Sequence, residues 1–113
     1  MARWTIRLSA PAERDFGEIL LWSRERFGPA QANMYRQTLV AALRALGAGP
    51  DTLGARGRDE IAPNLRSLHV ARLGRRGRHV ILFRATDMGE IQVVRILHDA
   101  MDLARHVPEA PDE

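Results

Sequence analysis

The chain has 113 residues, 45% of them hydrophobic and 27% charged, which leaves room for one compact domain with a modest core and argues against global disorder. With no cysteine it can form neither a disulfide nor a thiolate metal site, and a Cys nucleophile is excluded. All 17 basic residues are arginine, so a formal charge of only +3 accompanies a pI near 10.8.

No apolar run approaches the roughly 20 residues that a membrane helix needs. Met1–Arg7 alternates like a strand and lacks the apolar stretch of a signal peptide, so a cytoplasmic protein without membrane association is expected. The absence of lysine can reflect genome composition, but the distribution of charge carries more information. Eight arginines (56, 58, 66, 72, 75, 76, 78, 84) fall between Arg56 and Arg84 against only Asp59 and Glu60, whereas the chain turns acidic past Asp99. A basic face of this kind awaits an anionic partner, either nucleic acid or an acidic protein segment.

In chain order, residues 3–8 alternate with period two, with Trp4, Ile6 and Leu8 on one side, and read as a first strand. Ser9 offers a hydroxyl cap and Pro11 sits early in the following helix, where its missing N–H costs little. That helix runs to about Phe27, with Phe16, Ile19, Leu20 and Phe27 as a core-facing stripe. Leu21 stands about two turns beyond Arg14, and Trp22 adjoins it through Glu18 and Asp15. A Leu–Trp pair opposite the stripe is either an interface or packing against a second core.

Gly28-Pro29 ends this helix and restarts a second one over about 30–47, with Tyr35, Leu39, Ala42, Leu43 and Leu46 on one face. Two amphipathic helices so closely linked form an antiparallel hairpin that must lie on a sheet. Residues 51–64 read as loop. Three β-rich runs follow: Leu65–Leu73, a tight Gly74–Gly77 turn into Arg78–Ala85, and an Asp87–Gly89 turn into Glu90–Leu97. Loops this short predict a meander.

The expected fold is therefore α+β, in the order β-α-α-β-β-β. A helical hairpin covers one face of a mainly antiparallel four-stranded sheet, and a short helix or turn spans 98–107. The other sheet face, or a cleft at its end, is left for partners. Residues 1–107 are expected to form one domain and 108–113 a flexible acidic tail.

The glycines of the basic turn do not lead from a strand into a helix, so a nucleotide-binding loop is unsupported. Nor do the four histidines show a zinc-like helical spacing, and no metal or other cofactor is expected. The arginine-rich tip at Arg75, Arg76 and Arg78 is either a solvated hairpin end or a contact for phosphate or an acidic patch. It has no aromatic residues interleaved around it in sequence, which counts against a stacking platform.

Several segments in order resemble the ParE/RelE toxin superfamily over nearly the whole chain. They are Leu8–Asp15, Phe27-Gly28-Pro29 with Ala32 and Tyr35, Leu65-Arg66-Ser67, Arg78–Arg84, and Val94–His98 with Met101-Asp102. The closing Arg-Ile-Leu-His-x-x-Met-Asp run resembles the ParE branch. This resemblance implies the toxin of a type II toxin–antitoxin pair, neutralised by a ParD-like antitoxin whose ribbon-helix-helix head binds DNA, so that the toxin meets DNA only indirectly. It implies DNA gyrase as the target, inhibited by contact and not by the toxin's own chemistry. The expected antitoxin contacts are Leu21, Trp22, Arg66 and Arg84, and the expected target contacts are Arg75, Arg76, Arg78, Met101 and Asp102.

RelE-like relatives instead cleave messenger RNA on the ribosome. The lysine and C-terminal tyrosine of that chemistry are missing here, since the single tyrosine is Tyr35. A metal-independent endoribonuclease would have to use Arg66, Arg84 and His98. Each has an alternative reading. His98 can make a local hydrogen bond, and the two arginines can pair with carboxylates. His69 is expected to be exposed and His79 to be a strand-edge residue. A third possibility is a basic nucleic-acid-binding module without toxicity.

Overall fold

A computed structural model describes residues 3–107; the acidic tail expected at 108–113 lies outside them. The elements are β1 (Thr5–Leu8), α1 (Ala10–Phe27), α2 (Pro29–Ala45), β2 (Arg56–Gly57), β3 (Arg66–His69), β4 (His79–Ala85) and β5 (Glu90–His98). Single 3-10 turns occupy Leu46–Ala48, Val70–Leu73 and Leu103–His106. Ser9 caps α1 as expected: its hydroxyl accepts from Ala12 N–H at 3.1 Å and donates to the Val94 carbonyl at 2.9 Å, tying the helix start to β5. Gly28 takes φ 93° between the helices, a left-handed region open to glycine without strain, and its N–H closes on the Arg24 carbonyl.

The sheet differs from the expected one in number and sense. It has five strands in the order β1-β5-β4-β3-β2. The extra strand, β2, arises inside the stretch read as loop: Arg56 pairs with Ser67 and Gly57 with Arg66. Two residues are too short to show a period. β1 runs parallel to β5, from Thr5 opposite Glu90 to Leu8 opposite Val93, so the sheet is mixed. Loop lengths fix the β3-β4-β5 meander but say nothing about where a strand preceding two helices rejoins the sheet.

Alternation sorts the core. Ile81 and Phe83 of β4 face the hairpin with Leu68, Ile91 and Val93, and they meet Ala12, Leu39, Ala42 and Leu46. Val80 and Leu82 face the other way with Leu65 and Leu97, beneath Ile61, Ala62, Leu103 and Val107. The sheet face expected to be bare is therefore partly covered, by the loop before β3 and by the last turn. A bulge between Leu82–Arg95 and Phe83–Val93 inserts Val94, so Val93 and Ile96 both face the helices despite their odd spacing.

Two further expectations are corrected. Phe16, Ile19 and Leu20 pack on the core, but Phe27, at the helix end, is 63% exposed. The run Leu65–Leu73 is strand only over Arg66–His69. His69 Nδ1 then accepts from Ala71 N–H at 3.0 Å and the chain turns into a 3-10 helix. β3 and β4 are thus joined by an arm, residues 70–78, and not by a tight turn.

Candidate functional site

The arm brings the basic turn against the helical hairpin. Arg75 Nε donates to Thr38 Oγ1 of α2 at 2.9 Å, and Arg78 N–H donates to the Tyr35 hydroxyl at 3.2 Å. The same hydroxyl lies 2.5 Å from His79 Nδ1, a hydrogen bond that either group can donate. The surroundings hold His79 neutral. Burial and the neighbouring His98 lower its pKa to about 4, while burial raises that of Tyr35. Histidines 79 and 98 pair across β4 and β5, with ring centroids 5.4 Å apart and nearly perpendicular.

A second network continues from Arg78. Its guanidinium contacts Asp99 at 3.0–3.1 Å, and His69 Nε2 lies 2.8 Å from the same carboxylate. These two partners lower the Asp99 pKa to about 2. His69 Nδ1 accepts from Ala71 N–H, so its Nε2 carries the proton given to Asp99. His98 Nδ1 likewise accepts, from Ala100 N–H at 3.1 Å. Its 3.7 Å separation from Asp99 is therefore not a hydrogen bond. His69 and His79, expected to be an exposed residue and a strand edge, are instead half-buried members of these networks.

The neutral state of His79 makes stability depend on pH. Unfolding releases the ring to protonate at its ordinary value of 6.5, whereas the folded protein resists until about 4. This contribution is complete above pH 6.5 and lost as pH falls through 4. The expected loss is on the order of 2 kcal/mol, allowing for solvent screening at the cleft mouth. His79→Gln keeps an acceptor for Tyr35 without titrating and should flatten denaturation midpoints across that window. Asp99 titrates lower, with its contribution lost as pH falls from 3.8 through about 2.

Between hairpin and sheet end lies an open, mainly apolar cleft of about 330 Å³, lined on the helical side by Trp22, Phe27 and Tyr35. Trp22 and Phe27 meet edge-to-face at 5.8 Å, and the Arg26 guanidinium stands 5.1 Å from the Trp22 ring. Arg76, His79 and His98 line the cleft from the arm and the sheet. Three aromatic residues therefore do share a cleft with the basic turn. The sequence hid this because they come from helices 39 to 56 residues earlier in the chain.

The other expected site residues are dispersed. Leu21 and Trp22 are both more than half exposed, but on different recesses: Leu21 lines a groove between the helices with Arg24, Pro29 and Arg36. Asp15, expected on the Leu21–Trp22 side of the helix, is instead buried against β5. Arg66 holds the Pro50 carbonyl at 2.7 Å and Asp51 at 3.2 Å. Arg84 donates to the Pro63 carbonyl at 3.3 Å, and its buried Nη2 has no partner among the described residues. By alternation Arg66 and Arg84 lie on opposite faces of the sheet. His98 stands at the far end, about 16 Å of strand from Arg84. Arg75, Arg76, Arg78, Met101 and Asp102 do share one end of the sheet, where Asp99 N–H bonds the Arg78 carbonyl at 2.7 Å. Among the described residues no group of acidic or histidine side chains converges to hold a metal, and no helix is long and apolar enough to cross a membrane.

Residues 6–103 match a family model described as the ParE toxin of the type II toxin–antitoxin system parDE. Toxin ParE1 of Mycobacterium tuberculosis is 35% identical over 100 residues, spanning 88% of this chain and 94% of that protein. Toxin ParE1 of Caulobacter vibrioides is 29% identical over 101 residues, spanning 89% and 95%. Two solved structures share the fold. A chain of the chromosomal ParDE system from P. aeruginosa superposes with a TM-score of 0.67 at 22% identity, covering 87% of this chain and 98% of that one. A chain of the RelBE2 toxin–antitoxin complex from Mycobacterium tuberculosis does so with 0.56 at 23% identity, covering 85% and 98%.

Proposed function

Because this chain belongs to the ParE family of type II toxin–antitoxin toxins, we propose that it arrests growth by binding DNA gyrase and is held silent by a cognate antitoxin. The observation that carries the contact reading, against an endoribonuclease, is the dispersal of Arg66, Arg84 and His98 over two faces and two ends of the sheet. Acid–base cleavage of RNA needs its base, its acid and its cations within reach of one phosphate. Arg66 and Arg84 are engaged with backbone carbonyls and hold loops in place. The gyrase contact belongs to the basic end, where Arg75, Arg76 and Arg78 stand exposed beside Met101 and Asp102.

The antitoxin reading rests on the hairpin. Leu21, Trp22 and Met34 expose large apolar surface there, flanked by Arg24 and Arg36, which suits an amphipathic acidic segment that orders as it binds. Leu21→Glu should weaken antitoxin binding about tenfold or more while changing stability by less than about 0.5 kcal/mol. Co-purification and denaturation of the same variant check both halves. In cells, inducing the chain without its antitoxin should raise the DNA-damage response and leave transcripts whole. Cut transcripts without a damage response would refute the proposal.

A further inference from the structure

The cleft beside the basic turn shares Trp22 with the proposed antitoxin surface and Arg76 with the proposed gyrase contact, and it combines them with features that neither contact requires. Its floor is made of rings: Trp22 and Phe27 keep more than half of their surface open, and Tyr35, His79 and His98 close the inner wall. Among the described residues no carboxylate lines it. Arg76 reaches its rim, and among the described residues no acidic side chain pairs with that guanidinium. The Gln31 amide also lines the cleft and makes no hydrogen bond to another protein group among the described residues.

Open aromatic surface takes up a planar base, a primary amide can donate to and accept from its edge, and an unpaired guanidinium takes up a phosphate. The geometry points to a binding site for one nucleotide unit, with its base against Trp22 and Phe27, its edge at Gln31 and its phosphate on Arg76. At about 330 Å³ the cleft is at the small end of ligand pockets, which suits one base with its sugar and not a length of folded peptide. The neutral state of His79 keeps the inner wall apolar. Arg78, already committed to Asp99, shapes the rim without supplying the phosphate contact. The inference shares Arg76 with the gyrase reading, but it is tested on the free chain with nucleotide probes alone, so either can fail without the other.

The same chemistry can come from a free mononucleotide or from a nucleotide within a strand. Titration calorimetry on the purified full chain, with AMP, adenosine, ribose 5-phosphate and 5′-phosphorylated tetra-adenylate as probes, separates these sources. AMP should bind at least about tenfold more tightly than adenosine or ribose 5-phosphate. Arg76→Ala should abolish the advantage of AMP over adenosine, and Trp22→Ala should weaken both about tenfold. Both residues are exposed, so the variants keep the fold, which circular dichroism checks. Tetra-adenylate equal to AMP identifies the free nucleotide as ligand. Tetra-adenylate at least tenfold tighter, with the same loss in Arg76→Ala, identifies a strand. The site is refuted by no saturable AMP binding up to about 5 mM. Equal affinity for ribose 5-phosphate, or AMP binding that both variants leave unchanged, also refutes it. So does a blocked Glu-Glu-Leu-Glu-Glu peptide that fills the cleft where AMP does not.

Discussion

Asp15→Ala is expected to destabilise the protein by about 3–5 kcal/mol, because it removes one half of a buried ion pair and leaves the other half in place. Asp15 is only 8% exposed. Its carboxylate accepts from Arg95 Nε at 2.7 Å, from Arg95 Nη2 at 2.8 Å and from Ile96 N–H at 2.9 Å. β1 pairs with β5 only as far as Leu8 opposite Val93, so β5 continues past the end of its neighbour. Asp15 fills the role that a longer β1 would have had there, satisfying a backbone donor that water cannot reach. Arg95 also donates to the His106 carbonyl at 2.9 Å, which fixes the last turn. Alanine would strand both the guanidinium and the Ile96 N–H. Asparagine keeps one acceptor and should cost less. The double variant Asp15→Ala, Arg95→Met removes the uncompensated charge and should recover part of the loss. Urea denaturation of the four proteins provides the comparison. A single Asp15→Ala variant within 1 kcal/mol of the parent would show that β5 holds without this clamp.

The second large effect is expected at Gly77. A Cβ there would collide with a Val70 methyl and approach the Tyr35 hydroxyl to 3.0 Å and its ring to 3.2 Å. Val70 is fully buried and Tyr35 is held by His79 and Arg78, so neither can move aside cheaply. Gly77→Ala should cost about 2–3 kcal/mol and lift the arm from α2. The release has its own signature. With the Tyr35 bond lost and the ring wetter, the His79 pKa should rise from about 4 toward its ordinary value, which an NMR titration would register. Gly74→Ala is the control. Nothing stands near its Cβ, but its φ of 82° strains any other residue, so about 1 kcal/mol is expected with His79 unchanged. If Gly77→Ala shifts neither stability nor His79, the arm is not clamped as described.

The elements of the fold were legible because each carried a period or a breaker: Trp4-Ile6-Leu8 for β1, the Tyr35-Leu39-Ala42 stripe for α2, and Gly28-Pro29 between the helices. β2 escaped because two residues have no period. The direction of β1 escaped because the helical crossover is compatible with either edge and either sense. At the site, the arginine turn was evident from charge alone. Its aromatic companions were not, since Trp22, Phe27 and Tyr35 come to it only through the packing of the hairpin. Asp15 offered a signal that could have been used. It lies next to Phe16 and one turn before Ile19, on the buried stripe of α1, where a carboxylate demands a partner. The partner, Arg95, lay in the run that most resembled the ParE branch. Part of what makes that run distinctive is therefore structural: Arg95 clamps β5, His98 lines the cleft, and Asp99 holds Arg78 and His69.

The gyrase proposal is tested most directly with purified gyrase, relaxed plasmid and the free toxin. Supercoiling should fall in proportion to added toxin, or cleaved plasmid should accumulate on detergent quenching. The effect should weaken in a variant with Arg75, Arg76 and Arg78 all replaced by alanine and persist in His98→Ala. Full supercoiling at a large excess of toxin, together with His98-dependent cutting of transcripts in a translating extract, would contradict it and return the ribonuclease reading to first place.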